Sequence, residues 1–166
     1  NKGKLDDHYG AISDYTRAIE INPQYTKAYY NRGINKGKLK DYYGAISDYT
    51  KAIEINPKYS KAYNNRGVNK GNLKDYYGAI ADYTKAIEID PNDAQAYNNR
   101  GNMKSELKDH YGAITDYTKA IEINPKYANA YYNRGNAKYD LKDYYGAISD
   151  YTKAIEIKPE SDAYIN

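Results

Sequence analysis

Residues 41–57 read DYYGAISDYTKAIEINP. Asp41 is a residue type that caps a helix by accepting from its unpaired N-terminal N–H groups. Tyr42, Ala45, Ile46, Tyr49, Ala52 and Ile53 follow at i, i+3, i+4 and i+7, the spacing of an amphipathic helix. Pro57 cannot continue that helix, because it lacks the N–H and its ring clashes with the preceding turn. The stretch predicts one helix that starts after Asp41 and stops before Pro57.

The same stretch returns along the chain. The five prolines are Pro23, Pro57, Pro91, Pro125 and Pro159, each 34 residues from the next. A fixed period of this size marks a repeat array. Four full units cover 26–59, 60–93, 94–127 and 128–161, after a partial unit 1–25 and before a stub, Asp162–Asn166. The whole of 1–166 reads as one array. In unit 26–59 a first helix is predicted over about Lys27–Leu39, upstream of the one already described. The link between them is short, so the two pack antiparallel as a hairpin. If the hairpin turns near Lys40, then Arg32 faces Asp48, Gly33 faces Ala45 to Ser47, and Tyr29 faces Ala52. Small residues oppose large ones and a cation opposes an anion, so the register is chemically consistent.

The period, with Tyr29, Gly33, Ala45, Tyr49, Ala52 and Pro57 in place, resembles the tetratricopeptide repeat over nearly the whole chain. The resemblance implies an all-α solenoid of antiparallel helix hairpins coiled into a right-handed superhelix. It also implies a protein-binding scaffold that holds extended peptides in a concave groove lined by the first helices. Two positions depart from the family pattern. Arg32 stands where Leu is common, and Lys36 where an aromatic is common.

Asn-Arg-Gly recurs in every first helix, and its three members read differently. Gly33, Gly67, Gly101 and Gly135 each cost a helix about 1 kcal/mol against Ala, which points to close approach by the paired helix. Arg32, Arg66, Arg100 and Arg134 lie on the packing side, opposite Asp48, Asp82, Asp116 and Asp150. Each Arg–Asp couple is expected to be an ion pair within its repeat, the Arg stem covering apolar surface. Asn31, Asn65, Asn99 and Asn133 fall on the opposite side with 27, 34 and 38, which a solenoid leaves as its inner wall. Asn is a poor helix-interior residue, and a carboxamide offers both donors and an acceptor. The four are expected to form a ladder that binds an extended backbone; the resemblance implies the same role.

The wall positions are also where repeats differ. Asn102 and Asn136 take the place of Ile34 and Val68, and Tyr30 gives way to Asn64. Lys27, Lys38 and Lys61 give way to Gln95, Glu106, Asn129 and Asp140, so an acidic part of a ligand is expected near the three lysines. Binding of a chaperone-type acidic tail is not expected. Asn99 and Asn133, with Tyr30, Asn64 or Asn98, stand where the family's carboxylate clamp requires cations.

Composition narrows the remaining classes. The 166 residues contain 24 Tyr, no Phe, no Trp and no Cys, so the core must be built from Tyr, Ile and Ala, and thiolate chemistry is excluded. The mean hydropathy of −1.03 is low because hydropathy scales penalise the tyrosine hydroxyl. A net charge of +3, with 25 basic and 22 acidic residues interspersed, does not argue for nucleic acid or an anionic membrane. His8 and His110 are three units apart, too far to share a metal. With no phosphate loop and no nucleophile set, neither enzyme activity nor a cofactor is expected. The chain begins at Asn1, not Met, so the compartment stays open. The last second helix carries Ile148, Tyr151 and Ile155 with no helix after it, so end-to-end stacking into a homo-oligomer is the alternative expectation.

Overall fold

The computed structural model describes residues 2–159, with side chains from Asp7 onward. Among the described residues every element is a helix. The chain divides into two compact units. Unit 1 holds α1 (Lys2–Ile21), α2 (Thr26–Lys38), α3 (Tyr42–Ile55), α4 (Ser60–Asn72) and α5 (Tyr76–Ile89). Unit 2 holds α6 (Ala94–Glu106), α7 (His110–Ile123), α8 (Ala128–Asp140) and α9 (Tyr144–Ile157). Among the described residues no helix is long and apolar enough to cross a membrane. The stub Asp162–Asn166 lies outside the described residues.

The four hairpins are α2–α3, α4–α5, α6–α7 and α8–α9, joined as helix pairs through an all-α solenoid. Each second helix starts at its aspartate, as the 41–57 stretch predicts. Asp41 Oδ1 accepts from the Gly44 N–H at 2.9 Å, and Asp75, Asp109 and Asp143 repeat the bond. Each first helix ends in a tight reversal. The Asp41 N–H donates to the Lys36 carbonyl and the Lys40 N–H to the Gly37 carbonyl, both at 2.9 Å, which is the Schellman arrangement. That reversal needs a left-handed residue, and here it is a lysine. Lys40, Lys74, Lys108 and Lys142 sit at φ of 62–66°, a region that costs an L-residue about 1–2 kcal/mol.

The core is small and aromatic. Ala45, Tyr49 and Ala52 of α3 are buried, as are the matching residues of α5 and α7. The Tyr49 ring lies flat over Gly33: a Cβ added there would meet ring carbon Cε1 at 2.9 Å. The Gly67–Tyr83, Gly101–Tyr117 and Gly135–Tyr151 pairs are tighter still, at 2.8, 2.7 and 2.6 Å. The third member of Asn-Arg-Gly is therefore fixed by a tyrosine ring, and the helix penalty is offset by that packing.

The partial unit departs from the pattern of the full repeats. By alignment, Leu5 to Asp7 match the turn Leu39–Asp41, so the chain should reverse there. Instead α1 is one uninterrupted helix through those positions.

Candidate functional site

Two faces of the first helices carry side chains with chemistry, and they are built differently. The packing face of α2 holds Tyr29, Arg32 and Lys36. Arg32 grips Asp48 with a fork, Nε to Oδ2 at 2.9 Å and Nη2 to Oδ1 at 2.7 Å. Lys36 Nζ closes on the same carboxylate, 2.8 Å from Oδ2. The Arg32 guanidinium carbon lies 5.6 Å from the centre of the Tyr29 ring, a cation–π contact. Its remaining nitrogen, Nη1, donates to Thr16 Oγ1 on α1 at 3.1 Å. The Asp48 side chain is only 4% exposed, so both cations act on a nearly dry anion. Hydrogen bonding to Asp48 holds the Arg32 guanidinium above its ordinary pKa.

The same set recurs. Arg66 and Lys70 hold Asp82, with Thr50 on the preceding helix. In unit 2, Arg100 and Lys104 hold Asp116, and Arg134 and Lys138 hold Asp150 with Thr118. The sequence reading placed Arg opposite Asp but missed Lys36 and its equivalents, which it noted only as departures from the family pattern. The signal was present: Lys follows Arg by four residues, one helical turn, in all four units. In each cluster the aspartate's charge is matched by the Arg and Lys of its own repeat.

The opposite face is the candidate recognition wall. In unit 1, α2 and α4 lie side by side. Lys27, Lys38 and Lys61 are exposed on it, and so is Val68. Asn31 and Asn65 are half-buried between them. Among the described residues the Asn31 carboxamide makes no hydrogen bond. Asn65 Nδ2 donates to the Tyr30 hydroxyl at 3.1 Å, and the amide also reaches the Tyr49 hydroxyl. Tyr30 packs against Tyr59 and Tyr49, with ring centroids 4.8 and 5.8 Å away. Burial raises the pKa of Tyr30. It raises that of Tyr49 further.

In unit 2, α6 and α8 lie side by side in the same way. Asn133 Nδ2 donates to both Asn98 Oδ1 and Asn102 Oδ1, each at 3.0 Å. Asn102 Oδ1 also accepts from the Tyr117 hydroxyl at 2.9 Å, and Asn136 Oδ1 accepts from Tyr151 at 2.8 Å. Asn99 is half-buried on α6. Glu106, Asn129 and Asp140 are exposed. The wall is thus a seam of carboxamides and tyrosine hydroxyls that ties neighbouring first helices together, rather than a row of free-standing amides. With two donations from Asn133 Nδ2, its oxygen is left as the acceptor. The sequence could not show this, because the partners sit 31–35 residues away across the stacked helices.

Among the described residues no three candidate metal ligands gather around either histidine. His8 Nδ1 bonds Asn35 Oδ1 at 2.8 Å. Asn35 Nδ2 donates to the Asn31 carbonyl, so its oxygen is the acceptor and His8 carries the proton on Nδ1. At the aligned positions the pair is broken up: Asn69 Oδ1 and His110 Nδ1 are both buried without a hydrogen-bond partner, and His110 Nδ1 lies 3.7 Å from Asp140 Oδ2.

The family patterns fall on these repeats. The pattern described as Tetratricopeptide repeat matches 26–59, 60–93 and 128–161, another of that description matches 82–115, and one described as TPR repeat matches 101–142. No curated protein sequence matches the chain. Many solved structures do match in fold. The crystal structure of MamA is 24% identical, covers 98% of this chain and 95% of its own, and superposes with a TM-score of 0.88. MamA 41-end from Desulfovibrio magneticus RS-1 is 20% identical, with coverage of 94% and 88% and a TM-score of 0.85. YrrB, described as a TPR protein with an unusual peptide-binding site, is 22% identical, with coverage of 95% and 81% and a TM-score of 0.78. With the 34-residue hairpin, the ring-over-glycine packing and the family patterns in agreement across residues 26–161, the chain belongs to the tetratricopeptide repeat family.

Proposed function

We propose that this protein-interaction scaffold holds an extended peptide segment along the first-helix wall. The observation that carries the reading is the contrast between faces. The packing face repeats one closed, self-satisfied cluster in every hairpin, while the wall stays open to solvent and changes from repeat to repeat. The hydrogen bonds along the wall refine the mechanism. Asn65 and Asn133 spend amide protons on neighbouring helices, which fixes their orientation, and a pre-oriented group costs less entropy when a ligand arrives. Their carboxamide oxygens then accept N–H groups of the peptide backbone, and Asn31, with donors and acceptor both available, binds in either sense. Asn99, Asn102 and Asn136 lie on the corresponding wall of unit 2. A peptide-binding site is also part of the printed description of YrrB.

The exposed lysines Lys27, Lys38 and Lys61 give unit 1 a basic wall, and the acidic part of the peptide sits there. Peptide arrays that scan acidic and neutral sequences test this. Binding to acidic peptides should weaken with ionic strength, and Lys27→Gln with Lys61→Gln should flatten that dependence. An unchanged salt dependence removes the acidic segment from the proposal.

A second reading is self-association through the last helix. On α9, Tyr144, Tyr145, Ile148 and Ile155 are exposed, whereas the Ile155 counterparts Ile53 and Ile87 are buried. Light scattering at rising concentration should then show assembly. A strict monomer rejects it.

A further inference from the structure

We propose that Tyr117, from beneath the wall, sets which end of the unit 2 carboxamides meets a peptide. Asn102 then presents donors and Asn133 an acceptor, and together they take the C=O and N–H of one extended, non-proline residue. This rests on the peptide-binding reading of the wall, and names the backbone chemistry that unit 2 selects. Tyr117 acts through Asn102 and is a positioning residue. Ring packing alone does not call for its hydroxyl. The ring covers Gly101, which Phe would do as well, yet the chain holds 24 Tyr and no Phe.

What the hydroxyl finds differs between repeats. Fifteen residues before each core tyrosine stands a wall position that varies: Ile34 before Tyr49, Val68 before Tyr83, Asn102 before Tyr117 and Asn136 before Tyr151. Where that position is apolar, Tyr49 bonds Asn65 of the next hairpin, and Tyr83 Oη makes no hydrogen bond among the described residues. Where it is Asn, the hydroxyl takes the amide of its own hairpin. Tyr117 Oη donates to Asn102 Oδ1 at 2.9 Å, and Tyr151 Oη to Asn136 Oδ1 at 2.8 Å.

A carboxamide has nearly the same outline either way round, so its neighbours decide its orientation. Asn102 Oδ1 accepts twice, from Tyr117 Oη and from Asn133 Nδ2 at 3.0 Å. Both lone pairs are then filled, and turning the amide over would set its NH2 against that of Asn133. Ser105, one turn beyond Asn102 on α6, hydrogen-bonds the same tyrosine hydroxyl. Asn102 Nδ2 donates to no group among the described residues. Asn133 spends Nδ2 on Asn98 and Asn102 and keeps its Oδ1. Both residues are half-buried on the wall. A linked donor and acceptor match the C=O and N–H that one residue of an extended strand turns to the same side. Proline has no N–H and cannot complete the pair.

The test uses the strongest peptide from the acidic and neutral arrays, fluorescein-labelled, and copies each N-methylated at one backbone nitrogen. Anisotropy titrations compare wild type, Tyr117→Phe and Tyr83→Phe, which removes an equally buried hydroxyl that holds no wall amide. Tyr117→Phe should bind the unmodified peptide about five- to tenfold more weakly, whereas Tyr83→Phe should match wild type. One of the N-methyl copies should lose about tenfold in affinity for wild type and little further in Tyr117→Phe, because both changes remove the same contact. A general loosening of the fold would instead add to the cost of the methyl group. Melting temperatures of the two variants should agree within a few degrees. Additive losses, equal losses for the two tyrosine variants, or unchanged affinity in Tyr117→Phe overturn the proposal and leave peptide binding standing. If no array peptide binds wild type, the peptide-binding reading itself falls and the proposal with it.

Discussion

The two faces of one first helix solve opposite problems. On the packing face of α4, Arg66 and Lys70 converge on a nearly buried Asp82, and the same atoms meet in all four hairpins, at 2.6–2.7 Å for Arg and 2.7–2.8 Å for Lys. On the wall face, Asn65 and its equivalents find different partners in different repeats: tyrosine hydroxyls in unit 1 and carboxamide oxygens in unit 2. A buried charge tolerates one arrangement, because a stranded partner costs several kcal/mol. A half-exposed amide can exchange one partner for another, or for water, at about 1 kcal/mol. Uniformity marks the face that sets the fold, and variety marks the face free to recognise something else.

The largest effect should come from breaking the packing face. Asp82→Leu leaves Arg66 and Lys70 without their anion in a half-buried site, and should cost about 3–5 kcal/mol. Arg66→Leu should cost less, because Lys70 still neutralises the carboxylate. The double variant should lose less than the sum of the two in thermal or urea melting. Additive losses would show that the charges act independently.

Alkaline unfolding comes next. Burial holds the hydroxyls of Tyr49, Tyr83 and Tyr117 well above their ordinary pKa of 10.0. The folded chain thus keeps protons that the unfolded chain releases. The stability from these tyrosines is whole below pH 10 and is lost as pH rises above it, at about 1.4 kcal/mol per tyrosine per pH unit. Melting temperatures measured from pH 8 upward should be flat at first and then fall steeply. A flat profile to high pH would contradict the packing of these rings.

Gly67→Ala should cost about 1–3 kcal/mol, because the Tyr83 ring must shift from a contact of 2.8 Å. On helix propensity alone the change would stabilise by about 1 kcal/mol, so the sign of the measured change decides between ring packing and propensity. Smaller still is the contrast within the wall. Asn133→Ala removes two hydrogen bonds and should cost about 1–2 kcal/mol, whereas Asn31→Ala should fall within about 0.5 kcal/mol of wild type. Equal costs would mean that the two carboxamides do the same job.

Most of the fold was legible because repetition removes ambiguity. The prolines fix the period, Asp41 and Pro57 bracket α3, and the mirror symmetry about Lys40 pairs Arg32 with Asp48 before any coordinate is known. What escaped has physical reasons. Lys36 joins Asp48 from one turn beyond Arg32 on the same face, a spacing that had been noted only as a departure from the family pattern. Lys40 gives no sign of a left-handed backbone, since Gly or Asn usually announces one. The bond from Arg32 to Thr16, and the seam from Asn133 to Asn98 and Asn102, cross between stacked repeats and depend on a spacing that no single repeat encodes. The straight course of α1 runs through positions whose sequence aligns with a turn in the other repeats.

The claim that the wall recognises a ligand is tested most directly by binding, set beside stability. The strongest peptide from the array should be titrated against wild type and against Asn31→Ala with Asn65→Ala. The account predicts at least a tenfold loss of affinity, while the melting temperature moves by only a few degrees. Undiminished affinity in a folded double variant would contradict it.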